Sequence, residues 1–163
     1  MDFSLAEVPL LGDLVGGLTG GLGADSFVVR GSEYVVDGGV GIDTISYARI
    51  GDGIWVDLIR GTDSLGSSIY RVENVVGTAS RDTLSGSASA NVLDGGGGND
   101  QLIGGGGNDV IVGGVGADLI EGNDGDDVLG DNDIFLSGGV ASATMVSSAE
   151  NMSVEITSAR AWR

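Results

Sequence analysis

The chain has no cysteine, no histidine and no lysine. Without cysteine there is no disulfide to staple a weak core, and without cysteine or histidine the usual zinc and copper sites are closed to it. The lack of histidine also removes the H-E-x-x-H protease motif and every Ser-His-Asp arrangement, and no G-x-S-x-G elbow occurs. Seven arginines face enough carboxylates to leave a formal charge of −17. That balance argues against nucleic acid and anionic membrane surfaces as partners and makes cations the natural ones. No basic residue precedes the apolar stretch Met1–Gly23, and Asp13 interrupts it, so it fits neither a signal peptide nor a membrane span.

What is abundant is glycine, 32 of 163 residues, and it is not scattered. Cut at Gly95, Gly104, Gly113 and Gly122, the chain reads GGGGNDQLI, GGGGNDVIV, GGVGADLIE and GNDGDDVLG. Extending the frame backwards adds GSASANVLD from Gly86 and GTASRDTLS from Gly77, and a separate copy, GGVGIDTIS, stands at Gly38. The sixth positions of the continuous run are Asp82, Asn91, Asp100, Asp109, Asp118 and Asp127; the eighth are Leu84, Leu93, Leu102, Ile111, Ile120 and Leu129. A flexible low-complexity linker has no reason to keep an aliphatic at every eighth place.

The two columns belong together chemically. Glycines at the first, second and fourth places let the chain turn sharply and aim carbonyl oxygens inward. The carboxylate that follows adds a hard anionic oxygen, and Ca²⁺ takes about six to eight such oxygens. One loop supplies too few, so neighbouring loops must share an ion. The remaining residues of each unit are β-formers with the eighth side chain free for an interior, so one unit makes a turn and a short strand and two make a full rung.

This pattern resembles the RTX, or hemolysin-type, calcium-binding repeat, G-G-x-G-x-D-x-U-x, whose units wind into a parallel β-roll. The resemblance covers about Ser32 to Gly130, where D-G-G-x-G-x-D-T-I-S-Y-A, V-D-L and V-E-N-V-x-G-T-A look like degenerate rungs ahead of the strict repeats. It implies an all-β, right-handed parallel β-roll with about two to four Ca²⁺ ions between turns. It also implies that loops two units apart share an ion, pairing Asp82 with Asp100, Asn91 with Asp109, Asp100 with Asp118 and Asp109 with Asp127. Carried over by position, the ligand set is Asp82, Asp100, Asp109, Asp118 and Asp127 with Gly95, Gly97, Gly104, Gly106, Gly113, Gly114, Gly116 and Gly122. Thr78, Ser80, Ser87, Ser89 and the neutral Asn91 depart from the motif, so weak or empty sites are expected there.

The chain divides into an apolar Gly/Leu-rich arm at 1–23, degenerate rungs at 24–76, the β-roll at 77–130 and a cap or interaction segment at 131–163. Strands are expected at Phe27–Val29, Tyr34–Val36, Thr44–Tyr47, Ile54–Leu58 and Met152–Ile156. Trp55 and Tyr70 read either as a sugar platform or, more often for aromatics within strands, as packing. Leu10, Leu11, Leu14, Leu18 and Leu22 suggest that the leading arm docks on a neighbour, giving a homo-oligomer or larger assembly through 1–23 and 131–163. An enzyme would need a carboxylate pair such as Asp52 and Asp57; a non-catalytic protein is the expectation. Two roles stay open. In one, favoured by the start at Met1, a calcium-stabilised structural or adhesive module serves an extracellular or surface assembly, such as a cell-surface layer or virion. In the other, the chain is the C-terminal calcium-binding part of a secreted enzyme or toxin.

Overall fold

The computed structural model describes residues 17–130 and the backbone of residues 144–146. Expectations placed on the leading leucines before Gly17, on Met152–Ile156 and on most of 131–163 lie outside the described residues. The strands are β1 (Gly17–Leu22), β2 (Ser26–Val28), β3 (Val35–Val40), β4 (Thr44–Ser46), β5 (Trp55–Asp57), β6 (Thr62–Asp63), β7 (Ser68–Tyr70), β8 (Asn74–Val76), β9 (Thr83–Ser85), β10 (Val92–Asp94), β11 (Gln101–Gly106), β12 (Val110–Val112), β13 (Leu119–Asp124), β14 (Val128–Gly130) and β15 (Thr144–Val146).

The strands alternate between two sheets. One runs β14-β12-β10-β8-β4-β2, all parallel; the other runs β1-β3-β7-β6-β5-β9-β11-β13-β15. Each nine-residue unit turns once and lays down one strand, so two units complete a rung and partners in register stand 18 residues apart, as Leu93 stands over Ile111 and Leu102 over Ile120. A three-residue strand directs its middle side chain inward and its two neighbours outward. That is the physical meaning of the eighth position. Leu84, Leu102 and Ile120 stack inside one sheet, and Phe27, Ile45, Val75, Leu93 and Ile111 inside the other, all buried. The expected all-β parallel roll is the fold found.

Two features depart from the expected organisation. The roll begins earlier than the arm boundary allowed: residues 17–22 form β1, which pairs in parallel with β3, and Leu18 packs against the core. Leu22 is exposed. Residues 24–76 are also not a simple series of rungs. In the six-stranded sheet Thr44 lies in register with Asn74, 30 residues on. The extra length forms a meander in the other sheet, where β5 pairs antiparallel with β6 and β6 antiparallel with β7. The turns have local causes. The Asp57 carboxylate accepts the Arg60 amide at 2.9 Å ahead of Gly61, and Asp63 Oδ1 accepts the amides of Leu65 and Ser67, both at 2.9 Å.

Three strands therefore stand in one sheet where the other has one. The interior there is filled by Tyr47, fully buried, whose hydroxyl donates to Asp63 Oδ2 at 2.7 Å. Asp63 thus has partners for both oxygens and is buried in register with Val56. Burial and the Asp63 carboxylate both push the Tyr47 phenol upward from its ordinary pKa.

Candidate metal centre

The sixth-position residues stand directly before the strands, so the two turning edges of the roll each carry a column. One edge holds Asp25, Asp43, Glu73, Asn91, Asp109 and Asp127; the other holds Asp82, Asp100 and Asp118. Within a column one oxygen of each carboxylate reaches back to the preceding turn. Oδ1 of Asp100, Asp118, Asp109 and Asp127 accepts the main-chain N–H of Asp82, Asp100, Asn91 and Asp109, at 2.8 to 2.9 Å. These are the four pairs expected from the repeat register.

The second oxygen folds back over its own loop. A Cβ placed on Gly95 would stand 2.5 Å from Asp100 Oδ2 and 2.5 Å from the Gly113 carbonyl oxygen. Gly104, Gly113 and Gly122 lie in the same way beneath Oδ2 of Asp109, Asp118 and Asp127. A side chain at any of these first positions would occupy the space beside the buried carboxylate. Gly116 is constrained twice. Its φ is +137°, and a Cβ there would overlap the carbonyl oxygen of Gly98. Gly114 abuts the Gly96 carbonyl in the same fashion. Gly97 and Gly106 lock the loops through their amides, donating to the carbonyls of Thr78 at 3.0 Å and Ser87 at 2.8 Å.

The turns then differ in how the second oxygen is satisfied. Asp82 Oδ2 accepts the Thr78 amide at 2.6 Å, and its Oδ1 accepts the Thr78 hydroxyl at 3.0 Å and the Ile54 amide at 2.9 Å. Asn91 Oδ1 accepts the Ser87 amide at 2.6 Å and the Ser87 hydroxyl at 3.2 Å, while its Nδ2 donates to the Glu73 carbonyl at 2.6 Å. In contrast, Oδ2 of Asp43, Asp100, Asp109 and Asp127 is buried with no hydrogen-bond donor among the described residues. A neutral polar group left in that state costs about 1 to 3 kcal/mol, and a carboxylate costs more, because its charge is desolvated without compensation. Burial, the first cause, drives the Asp100 and Asp109 carboxyls up to about 6 against the amide bonds that lower them; neighbouring carboxylates add to it, Asp82 and Asp118 at Asp100 and Asp127 at Asp109.

The chemistry of this donor set is specific. Among the described residues no group of three or more carboxylates gathers around one point. Each turn instead supplies a single carboxylate amid carbonyls from glycines, all hard oxygens and no nitrogen or sulfur. An ion that accepts many neutral carbonyls and one or two carboxylates fits; Ca²⁺ does so and zinc does not.

Several residues are missed by the sequence pattern as divided above. GGLGADSFV from Gly20 is a further unit, with Asp25 sixth and Phe27 eighth, 18 residues before the unit at Gly38. The Asp25 amide donates to Asp43 Oδ1 at 2.8 Å, as in the later pairs. An arm boundary at Gly23 cuts through the loop of this unit and hides it; a step of 18 residues back from Gly38 finds it. Glu73 carries the column across the meander by accepting the Asp43 amide at 2.9 Å. Fifth-position Asn99 and Asn108 also link turns, accepting the amides of Ala117 and Asp126, both at 3.0 Å. Of the carboxylates considered for catalysis, Asp57 is engaged by Arg60 and Asp52 is exposed.

A two-sheet parallel solenoid with glycine turns and one carboxylate per turn defines a β-roll. Residues 72–102 and 103–129 match the model of the RTX calcium-binding nonapeptide repeat (4 copies), and together with the parallel solenoid this match supports an RTX-type, calcium-binding β-roll module over that part of the chain. The match begins at residue 72 and does not include the Gly20 and Gly38 units. No curated protein matches the chain.

Proposed function

We propose that the protein is a non-catalytic, calcium-hardened structural or adhesive module working outside the cell. The observation that carries this reading is the set of buried, donor-less carboxylate oxygens of Asp43, Asp100, Asp109 and Asp127. Ca²⁺ is held by Asp100 and Asp118 with the loops from Gly95 and Gly113, and by Asp109 and Asp127 with the loops from Gly104 and Gly122. Asp43 offers a further donor-less oxygen of the same kind, whereas Oδ2 of Asp25 already accepts the Gly21 amide at 2.8 Å. At Asp82 and Asn91 protein donors already occupy the oxygens, which makes those turns structural. Extracellular modules hold Ca²⁺ at about 10⁻⁴ to 10⁻³ M, so sites of this class fill outside a cell and empty within one. A site whose dissociation constant lies 100-fold below free Ca²⁺ adds about 2.7 kcal/mol, and two or three independent ones about 5 to 8 kcal/mol. This is comparable to the stability of a whole small domain. Calcium thereby completes a fold that is only marginally stable without it.

The reading is tested by circular dichroism and calorimetric titration of the full chain from a calcium-free start to about 10 mM Ca²⁺, a range that brackets extracellular sites. The expected result is a calcium-driven gain of β-structure that is lost in the Asp109→Ala, Asp118→Ala double variant. Full β-structure in the calcium-free protein, unchanged by the ion, would overturn it.

A further inference from the structure

The outer face of the β5–β7 meander is chemically unlike the rest of the roll. Trp55 and Tyr70, expected as packing residues, point outward instead and are 45% and 54% exposed. The alternation explains it: Val56 and Ile69 take the inward places, so their neighbours face solvent. Val56 pairs with Asp63 and Thr62 with Ser68, which sets Trp55 level with Ser64 and Tyr70 level with Arg60. The two rings thus stand two strands apart and about four residues offset, on a diagonal of roughly 16 Å, given strand spacings of about 4.8 Å and a rise of about 3.4 Å per residue. Thr62 lies at its midpoint, with Asp57 and Ser68 beside it.

The charges on this face come ready paired. Arg71 makes a two-pronged contact with Asp37, its Nε donating at 2.7 Å, and the guanidinium holds the Asp37 carboxyl below the usual carboxylate range. Arg60 is bound to Asp57. On a chain of net charge −17 this is a locally neutral strip. The meander strands lie inside the sheet, between β3 and β9, so the face offers no free strand edge for an added peptide strand. Nor do the two rings form the contiguous apolar centre of a protein interface, because hydroxyls and ion pairs separate them. Rings spaced along a neutral, hydroxyl-bearing strip suit an extended ligand whose own surface alternates C–H faces with hydroxyl groups.

We propose that this face binds a segment of neutral polysaccharide, with Trp55 and Tyr70 stacking against sugar rings at its two ends and Thr62, Ser68 and the paired carboxylates of Asp57 and Asp37 accepting or donating hydrogen bonds along it. The inference rests on the adhesive reading above and names its ligand class. It also gives a use to the meander, whose extra length breaks the 18-residue register between Thr44 and Asn74.

The test is native affinity electrophoresis of the full calcium-loaded chain through gels containing mixed-linkage β-glucan, hydroxyethylcellulose, galactomannan or xylan. Retardation by at least one is expected, with affinity falling at least tenfold in Trp55→Ala and in Tyr70→Ala while calcium-induced circular dichroism is unchanged. If either alanine variant misfolds, fluorescence decides. The polysaccharide-induced emission change should persist in Trp162→Phe and vanish in Trp55→Phe. Failure of all four polysaccharides to retard the wild type, or equal retardation of a folded Trp55→Ala/Tyr70→Ala variant, overturns the proposal. Normal calcium-induced folding in the same samples would leave the calcium module standing and remove only its glycan ligand.

Discussion

The turns at Gly77 and Gly86 and the turns at Gly95, Gly104, Gly113 and Gly122 solve one problem in two ways. All of them bury a sixth-position oxygen over the first glycine of the loop. In the earlier pair Thr78 and Ser87 stand where the turns at Gly95 and Gly104 have Gly96 and Gly105, and each brings a hydroxyl to the buried side chain in addition to its amide. At the second turn the charge itself is gone, since Asn91 replaces aspartate. The later turns keep the charge and have no hydroxyl, so the oxygens of Asp100, Asp109 and Asp127 are left for a cation. One repeat therefore yields two kinds of turn, a self-satisfied one and a metal-dependent one, and the difference lies at the second and sixth positions.

The largest effect should follow from removing calcium. Each filled site at 100-fold excess over its dissociation constant protects by about 2.7 kcal/mol, about 100-fold in exchange rate when opening and closing are fast relative to exchange. The amides of Leu119 and Val128, which donate to the Asp100 and Asp109 carbonyls at 2.8 Å, should lose protection by about that factor or more. Those of Thr83 and Val92, bound to the Ile54 carbonyl at 2.8 Å and Asn74 Oδ1 at 2.9 Å, should lose the least. Hydrogen exchange with and without the ion measures this directly. A uniform loss across both groups would mean that the hydroxyl-bearing turns have no stability of their own.

Much of this division is visible in the sequence. The column of aliphatics, the column of aspartates, the pairing 18 residues apart and the odd chemistry of the two early turns all come from a strict period, and a period is local information. What escapes is set by the third dimension. Nothing in Thr62–Asp63 and Ser68–Tyr70 marks them as two extra strands, because their partners are an interrupted rung that only assembly brings together. The direction of Trp55 and Tyr70 follows from which neighbours win the interior, and Val56 and Ile69 are no more emphatic in the sequence than they are. Asp63, a buried carboxylate, is legible only once Tyr47 is seen reaching it. The unit at Gly20 is legible by period alone, but its eighth position is aromatic and its loop straddles the apparent end of the apolar arm.

An exchange of chemistry between the two kinds of turn should have the next largest effect. Ser87→Gly with Asn91→Asp gives the second turn the glycine and carboxylate of its neighbours. The calcium-free roll should lose more than the cost of a neutral buried polar group deprived of a partner, about 1 to 3 kcal/mol, because the new side chain is a carboxylate. Titration calorimetry should then count one more calcium ion, and the calcium-loaded form should recover the loss. An unchanged ion count would show that the hydroxyl and the amide are not what keeps the metal out.

The smallest effect, and the one whose sign separates the two states of the metal-dependent turns, is that of acid. In the calcium-free roll the Asp100 and Asp109 carboxyls lie at about 6, above the ordinary carboxylate value of about 3.9, so the folded chain binds more protons than the unfolded chain between those limits. Stability from these two groups is then fully present below about pH 4 and is lost as pH rises through about 6. Acidifying the calcium-free protein from about pH 7 toward about 4.5 should therefore raise its melting midpoint. The calcium-loaded protein should move the other way, because protons compete for the same oxygens and release the ion. Relief of the overall negative charge also favours the calcium-free fold in acid, so the control is Asp100→Asn/Asp109→Asn, which should flatten the rise between about pH 5 and 7 without abolishing it. A calcium-free midpoint that falls on acidification through about pH 6 would mean that those two carboxylates are not the desolvated, partner-poor groups on which the metal-dependent turns are built.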